Sequence, residues 1–125
     1  MDENNISYKI RGAIYKVYNS LGPGLLESVY CNAILIELTR SGLKVKKEVP
    51  LPVYYHDQKM ELGFRLDLLV EEKVIIEIKS IESLAEVHHK QLLTYLRIAN
   101  LKLGILVNFN VDNIESGIFR KVNNL

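Results

Sequence analysis

Two apolar runs near the middle of the chain carry charges that such surroundings do not tolerate alone. Phe64 to Lys79 reads FRLDLLVEEKVIIEIK, with Asp67, Glu77 and Lys79 set among residues suited to buried strands. A buried carboxylate or ammonium carries a large desolvation cost unless something pairs with it. Residues two apart in a strand share a face, so Glu77 and Lys79 point one way and Val74, Ile76 and Ile78 the other. In the preceding run Arg65, Asp67 and Leu69 share a face, opposite Phe64, Leu66, Leu68 and Val70. Glu71, Glu72 and Lys73 form a polar break that predicts a hairpin turn. A three-residue loop closes Val70 on Val74 and sets Asp67 opposite Glu77; a two-residue loop sets it opposite Ile76. The first register is the expected one. It gathers two carboxylates and a lysine into one patch, where hard oxygen ligands suit a divalent metal and the ammonium can sit beside a metal-bound water. The structural alternative is an ion pair in which the three charges neutralise one another.

Other elements must carry and frame this patch. Residues 2 to 5 are polar and expected to fray. From Ile6, the positions Ile10, Ala13, Ile14, Val17, Tyr18 and Leu21 recur at helical spacing and predict an amphipathic helix ending at Gly22. Gly22-Pro23-Gly24 turns the chain, and a second helix is expected from Leu25 to Ser41, closed by Gly42. Its Gly24, Glu27, Tyr30 and Ile34 lie on one stripe. The favoured explanation of Glu27 from the residues alone is interaction with the helix dipole. Leu43 to Tyr55 alternates in character, with Lys44, Lys46, Lys47 and Glu48 ahead of Pro50-Leu51-Pro52, and predicts an edge strand that bends or breaks at the prolines. Its lysines suit either a phosphate backbone or protection of an edge from aggregation. After Lys79, Ser83 followed by Glu86 reads as a capping box opening a helix from Leu84 to Ala99. His88, Gln91 and Tyr95 form a polar stripe on that helix, a site wall or a solvated face. Leu103 to Val107 predicts a buried strand, and the helix before it implies a parallel pairing. The tail from Ile114 is a last strand or a short helix.

The residues carry a resemblance. Asp67, a hairpin, then Glu77-Ile78-Lys79 resembles the core of the PD-(D/E)xK nuclease superfamily, with Leu66 where the motif has its proline. Gly24-Leu25-Leu26-Glu27-Ser28-Val29-Tyr30 resembles the signature of the GxxExxY family, small prokaryotic-type proteins assigned to that superfamily. The similarity runs from LGPGLLESVY through LDLLV and the Glu-x-Lys strand to QLLTYL and NFNV. Gln91 and Tyr95 resemble the pair that follows the catalytic strand in RecB-type and lambda exonuclease-like members. His88 matches a histidine common in the GxxExxY pattern, whereas His89 and Lys90 depart from it. The resemblance implies an α/β fold with a restriction-endonuclease-like core, α-β-β-β-α-β, its mixed central sheet flanked by helices and an extra helix at the N-terminus. It implies a nuclease dependent on Mg2+ (or Mn2+) that hydrolyses phosphodiester bonds of nucleic acid, with DNA the expected substrate. Asp67 and Glu77 would ligate the metal with the main-chain carbonyl of Ile78, and Glu27 would complete the cluster directly or through water. Lys79 would position or help deprotonate the water. Gln91, Tyr95 and Tyr30 would contact substrate.

Composition narrows the classes. The 125 residues are 48% apolar, and 16 Lys plus Arg against 15 Asp plus Glu leave a net charge of +1. Residues 1–125 are expected to form a single domain, and any attraction to nucleic acid must come from a local patch. The lone Cys31 excludes an internal disulfide or a multi-cysteine metal site within one chain and fits a reducing compartment. Neither a leader pattern nor a bilayer-length apolar run is present, so the expectation is a soluble, cytoplasmic protein without a membrane partner. A small open sheet with a lysine-bearing edge predicts a homodimer. The function of a different class is a catalytically silent nucleic-acid-binding or assembly module that keeps the same fold.

Overall fold

The computed structural model describes residues 1–60 and 63–125. Helix α1 (Glu3–Leu21) buries Ile6, Ile10, Ala13, Ile14 and Val17 on one stripe. Its start corrects the expectation of a frayed segment at residues 2 to 5, because the Asp2 carboxylate accepts the Asn5 N–H at 2.8 Å and caps the helix. Gly22 ends it at φ 69, a conformation that favours glycine. Helix α2 (Glu27–Arg40) turns Tyr30, Ile34 and Leu38 inward. It starts two residues after the expected Leu25 and ends one before Ser41.

Strands β1 (Val45–Leu51), β4 (Phe64–Val70), β5 (Val74–Lys79), β6 (Leu103–Asn108) and β7 (Ile118–Val122) form one sheet in the order β1-β4-β5-β6-β7. Pairing is antiparallel except between β5 and β6, which run parallel because helix α3 (Glu86–Ala99) carries the chain back across the sheet. Pro50 is tolerated in β1 because that strand is an edge. Beyond the prolines, β2 (Tyr54–Tyr55) and β3 (Gln58–Lys59) pair as a separate hairpin, turning through His56 and Asp57 at φ 51 and 61. The tail contains both alternatives, a 3-10 turn at Ile114–Gly117 and then β7. The series α2, β1, β4, β5, α3, β6 is the restriction-endonuclease-like core α-β-β-β-α-β, and α1 is the extra N-terminal helix.

The sheet separates two apolar layers. On one side α1 and α2 pack Ile10, Ile14, Tyr30 and Ile34 against Leu68, Val70, Ile76, Ile78 and Val107. On the other, Leu92, Tyr95 and Leu96 of α3 meet Leu51, Leu66, Leu69, Ile75 and Leu106, so Leu66 does not share the face of Leu68 and Val70 as expected and the alternation breaks at Asp67. Helix α3 lies so close to β6 that a Cβ on Gly104 would stand 2.8 Å from Leu92 Cδ1. Central β5 is therefore buried on both faces, which explains its nearly continuous apolar run. Helix α3 also carries a correction. Ser83 and Glu86 do not make the expected capping box; the Ala85 N–H donates to His88 Nδ1 at 2.9 Å, so the reciprocal partner is the histidine and the helix starts at Glu86.

Candidate active site

The β4–β5 hairpin has the expected register. Val70 pairs with Val74, Leu69 with Ile75 and Leu68 with Ile76, so the loop is the three residues Glu71 to Lys73 and Asp67 comes next opposite Glu77. There the ladder opens. The Asp67 N–H donates to Glu77 Oε2 at 2.9 Å, and the Ile78 N–H donates to Asp67 Oδ2 at 2.8 Å. Two carboxylates thus take positions that strand carbonyls occupy elsewhere in the ladder. The other edge of Asp67 is open as well. Pairing with β1 passes from Lys47–Leu68 to Val49–Leu66, and the Glu48 between them sits in a left-handed conformation at φ 53.

Burial sets the electrostatics. Glu77 is 9% exposed, and its carboxyl is pushed up to about 8, first by desolvation and then by the neighbouring Asp67. Lys79, half-buried and two residues on, pulls the other way but more weakly. No ion pair within 4 Å joins Lys79 to either carboxylate among the described residues, so the mutual neutralisation considered from sequence does not form. Tyr95 from α3 is 6% exposed, and its phenol is raised by burial and then by Glu77 and Asp67. It packs in the layer that holds Leu66, the sequence neighbour of Asp67. Gln91, one turn earlier on the same helix, is exposed.

Glu27 arrives from the other layer. Its Oε2 accepts the Ser80 N–H at 3.0 Å, while Ser80 Oγ donates to the Leu25 carbonyl at 2.6 Å. These bonds dock the start of α2 on the corner that follows Lys79. A cleft of about 200 Å³ is lined by Glu27, Ser28, Cys31, Glu48 and Asp67. Cys31 Sγ lies 3.9 Å from the Asp67 carbonyl, and burial and then Asp67 push its thiol up to about 11, which makes it a poor nucleophile. A larger cavity, about 660 Å³, lies against β1 and the end of α3, but its lining is mostly apolar and its one acid, Glu72, pairs with Lys46.

Two expectations change. Tyr30 is fully buried and its hydroxyl is engaged by backbone: it donates to the Gly22 carbonyl at 2.5 Å and accepts the Leu25 N–H at 3.1 Å, while its ring stacks on Phe109 at 4.2 Å. It fixes the turn between α1 and α2 and does not face the cleft. Glu27, Asp67 and Glu77 do not close on a common ion position, and no three acidic, histidine or cysteine side chains do so among the described residues. The reason is visible in the bonds above, since Glu27 and Glu77 each direct an oxygen to a backbone N–H. The donor set still fits a hard, partly hydrated cation such as Mg2+, which takes one or two carboxylates and retains waters. Burial first and Asp67 second disfavour the ionised form of Glu77, and the charge of such a cation would offset both.

Two contributors escaped the sequence reading. Glu48 read as ordinary charge on an edge strand, and its left-handed backbone beside Asp67 leaves no local signal. Asn108 follows the strand expected over Leu103 to Val107, yet it is 3% exposed and clamps the loop after Lys79. Its Oδ1 accepts the Ile81 N–H at 3.1 Å and its Nδ2 donates to the Ile81 carbonyl at 3.0 Å. The motif NFN was its only hint.

Neither a curated protein nor a solved structure matches the chain. The sequence profile of the PD-(D/E)XK nuclease superfamily matches residues 4–121, a span that takes in α2, the carboxylate hairpin, α3 and most of β7. With the acid, the hairpin and the Glu-x-Lys strand joined at one opening in the sheet, the chain belongs to the PD-(D/E)XK nuclease superfamily.

Proposed function

We propose that this protein is a divalent-metal-dependent nuclease of the GxxExxY type, acting on DNA as a single domain over residues 1–125. The observation that carries the reading is the carboxylate pair at the opened ladder, Asp67 against Glu77, with Lys79 two residues further along the same strand. PD-(D/E)XK nucleases generally use divalent metal ions. Asp67, Glu77 and the Ile78 carbonyl would hold Mg2+, with Glu27 reached through water. The metal supplies Lewis acidity and countercharge to the phosphodiester.

The remaining steps belong to the chain itself. Lys79 orients the attacking water and offsets negative charge as it develops on the phosphate. Desolvated Glu77 keeps that charge change in a low-dielectric wall. From α3 the exposed Gln91 meets incoming strand, with Tyr95, 6% exposed, in the wall behind it, and Ser80 with Glu27 fixes the corner on which Lys79 stands.

Nicking and degradation of single- and double-stranded DNA should require Mg2+ or Mn2+ and should be abolished by Asp67→Asn and by Lys79→Ala. Cleavage that persists in both variants, or no metal-dependent cleavage of DNA or RNA, removes the proposal. One observation supports the silent-module reading instead: both carboxylates already satisfy backbone donors and could serve to seal the splayed strands. Under that reading, millimolar Mn2+ leaves the melting temperature unchanged, whereas a metal site gains stability by linkage.

A further inference from the structure

Exposed aromatic rings are concentrated in one stretch of the chain. Of seven tyrosines and three phenylalanines, the exposed ones are Tyr8, Tyr54, Tyr55 and Phe64. All but Tyr8 lie in or beside the β2–β3 hairpin and the first residue of β4. Tyr54 and Tyr55 are 61% and 68% exposed, and Phe64 is 41% exposed. A ring that serves only the core would be covered; these three remain open to solvent.

Phe64 connects this surface to the carboxylates. It pairs with Leu51 at the end of the sheet where β5 delivers Lys79, and it precedes Asp67 by three residues, about 10 Å along a strand. Its ring is held against Tyr95, with centroids 5.4 Å apart and planes at 50°. Tyr95 in turn packs in the same buried layer as Leu66, the sequence neighbour of Asp67. Exposed Phe64 and buried Tyr95 thus link the strand that carries Asp67 to α3, and Tyr54 and Tyr55 precede Phe64 by ten and nine residues. Exposed Lys59 lies on β3 and Asp57 at the hairpin tip, whereas Arg65, next to Phe64 in β4, points to the other face of the strand.

We propose that Phe64, backed by Tyr54 and Tyr55, is a stacking platform for the bases of single-stranded nucleic acid whose backbone leads into the carboxylate site. Every base offers a face to an aromatic ring, but in a duplex those faces are already stacked on one another. The platform thus selects unpaired strands, with exposed Lys59 meeting phosphates. The destination of the strand rests on the nuclease reading; the stacking does not.

Binding of a fluorescent oligothymidylate and of a hairpin duplex of equal length, measured by anisotropy in EDTA, separates the two. Wild type should favour the single strand. Phe64→Leu should weaken single-strand binding about tenfold and leave duplex binding unchanged, and the Tyr54→Leu, Tyr55→Leu double variant should weaken it further. Phe64→Tyr should restore affinity, and Tyr8→Leu should change nothing. If Phe64→Leu folds poorly, the tyrosine double variant and the Phe64→Tyr rescue carry the same comparison. Equal losses on both ligands, no loss on either, or no binding by wild type overturns the platform. A wild-type dimer that the tyrosine double variant dissociates, with single-strand binding intact, also overturns it, because the rings would then join two copies of the chain. Metal-dependent cleavage with unchanged Phe64→Leu affinity sinks the platform alone; ring-dependent binding without cleavage by any metal sinks the nuclease reading alone.

Discussion

The two ends of the β4–β5 hairpin share strands, sheet and solvent exclusion, yet they satisfy their backbone by different means. At the turn end, Leu68 to Val70 pair in register with Val74 to Ile76, and these side chains are all buried. At the other end, the N–H groups of Asp67 and Ile78 are met by carboxylates. The closed end exchanges neutral dipoles and fills apolar volume. The open end holds two acids, and burial first and its neighbour second drive Glu77 toward neutrality, an arrangement that opposes stability unless a cation arrives. Folding and chemistry are thus divided along a single hairpin, and substitutions at the two ends should have separable effects.

The widest separation is expected between Asp67→Asn and Ile76→Ala. The first removes a metal ligand and should lower metal-dependent cleavage by about a thousandfold or more, while leaving the denaturation midpoint nearly unchanged. The second deletes a side chain with 0% exposure and should cost about 2–5 kcal/mol of stability, while the activity of the folded fraction is retained. Urea titrations and cleavage rates on the same preparations check both. Comparable loss of stability in the two variants would erase the division.

The open end should also make stability depend on pH. Glu77 titrates at about 8 in the fold against an ordinary 4.5. Between those values the folded chain keeps a proton that the unfolded chain has released, so raising the pH across the window lowers stability. Below the window both states are protonated, and above it neither is. In EDTA, thermal melts should show the melting temperature falling through this range, and Glu77→Gln should flatten the decline. Millimolar Mg2+ should flatten it too, by stabilising the ionised pair. A wild-type profile in EDTA without that decline would show that the pair is relieved by something other than a cation.

How the site could be read from sequence depended on whether each signal was local. Alternation placed Glu77 with Lys79, and three polar residues at the turn fixed the register that brings Asp67 opposite Glu77. Both are period-and-count arguments that need nothing outside the hairpin. Asn108 needed Ile81, which lies 27 residues away, and Glu48 needed the pairing gap beside Asp67. Tyr30 occupied a helical stripe with Glu27, but its hydroxyl reaches the turn between the helices and not the cleft. The Asn108 clamp can be tested in the same terms. Asn108→Ala leaves the Ile81 N–H and carbonyl without their partner and should cost about 1–3 kcal/mol. It should also lower kcat more than it raises KM, because the corner carrying Lys79 loosens. A pure stability loss with normal kcat would mean that the clamp serves the fold alone.

The smallest effect belongs to the start of α3, where the expected and the observed caps use different residues. Ser83 and Glu86 fit the capping pattern by spacing, but the helix begins at Glu86 itself, which places Ser83 too early to cap it. His88 takes that part through Nδ1. His88→Ala should therefore lose about 1 kcal/mol, and Ser83→Ala almost nothing, by urea denaturation. Cleavage by His88→Ala should remain near wild type, because fraying at a helix end is confined to its first turn and Tyr95 lies further along α3. The reverse order of losses would restore the serine as the cap. A large drop in cleavage would instead place His88 at the substrate.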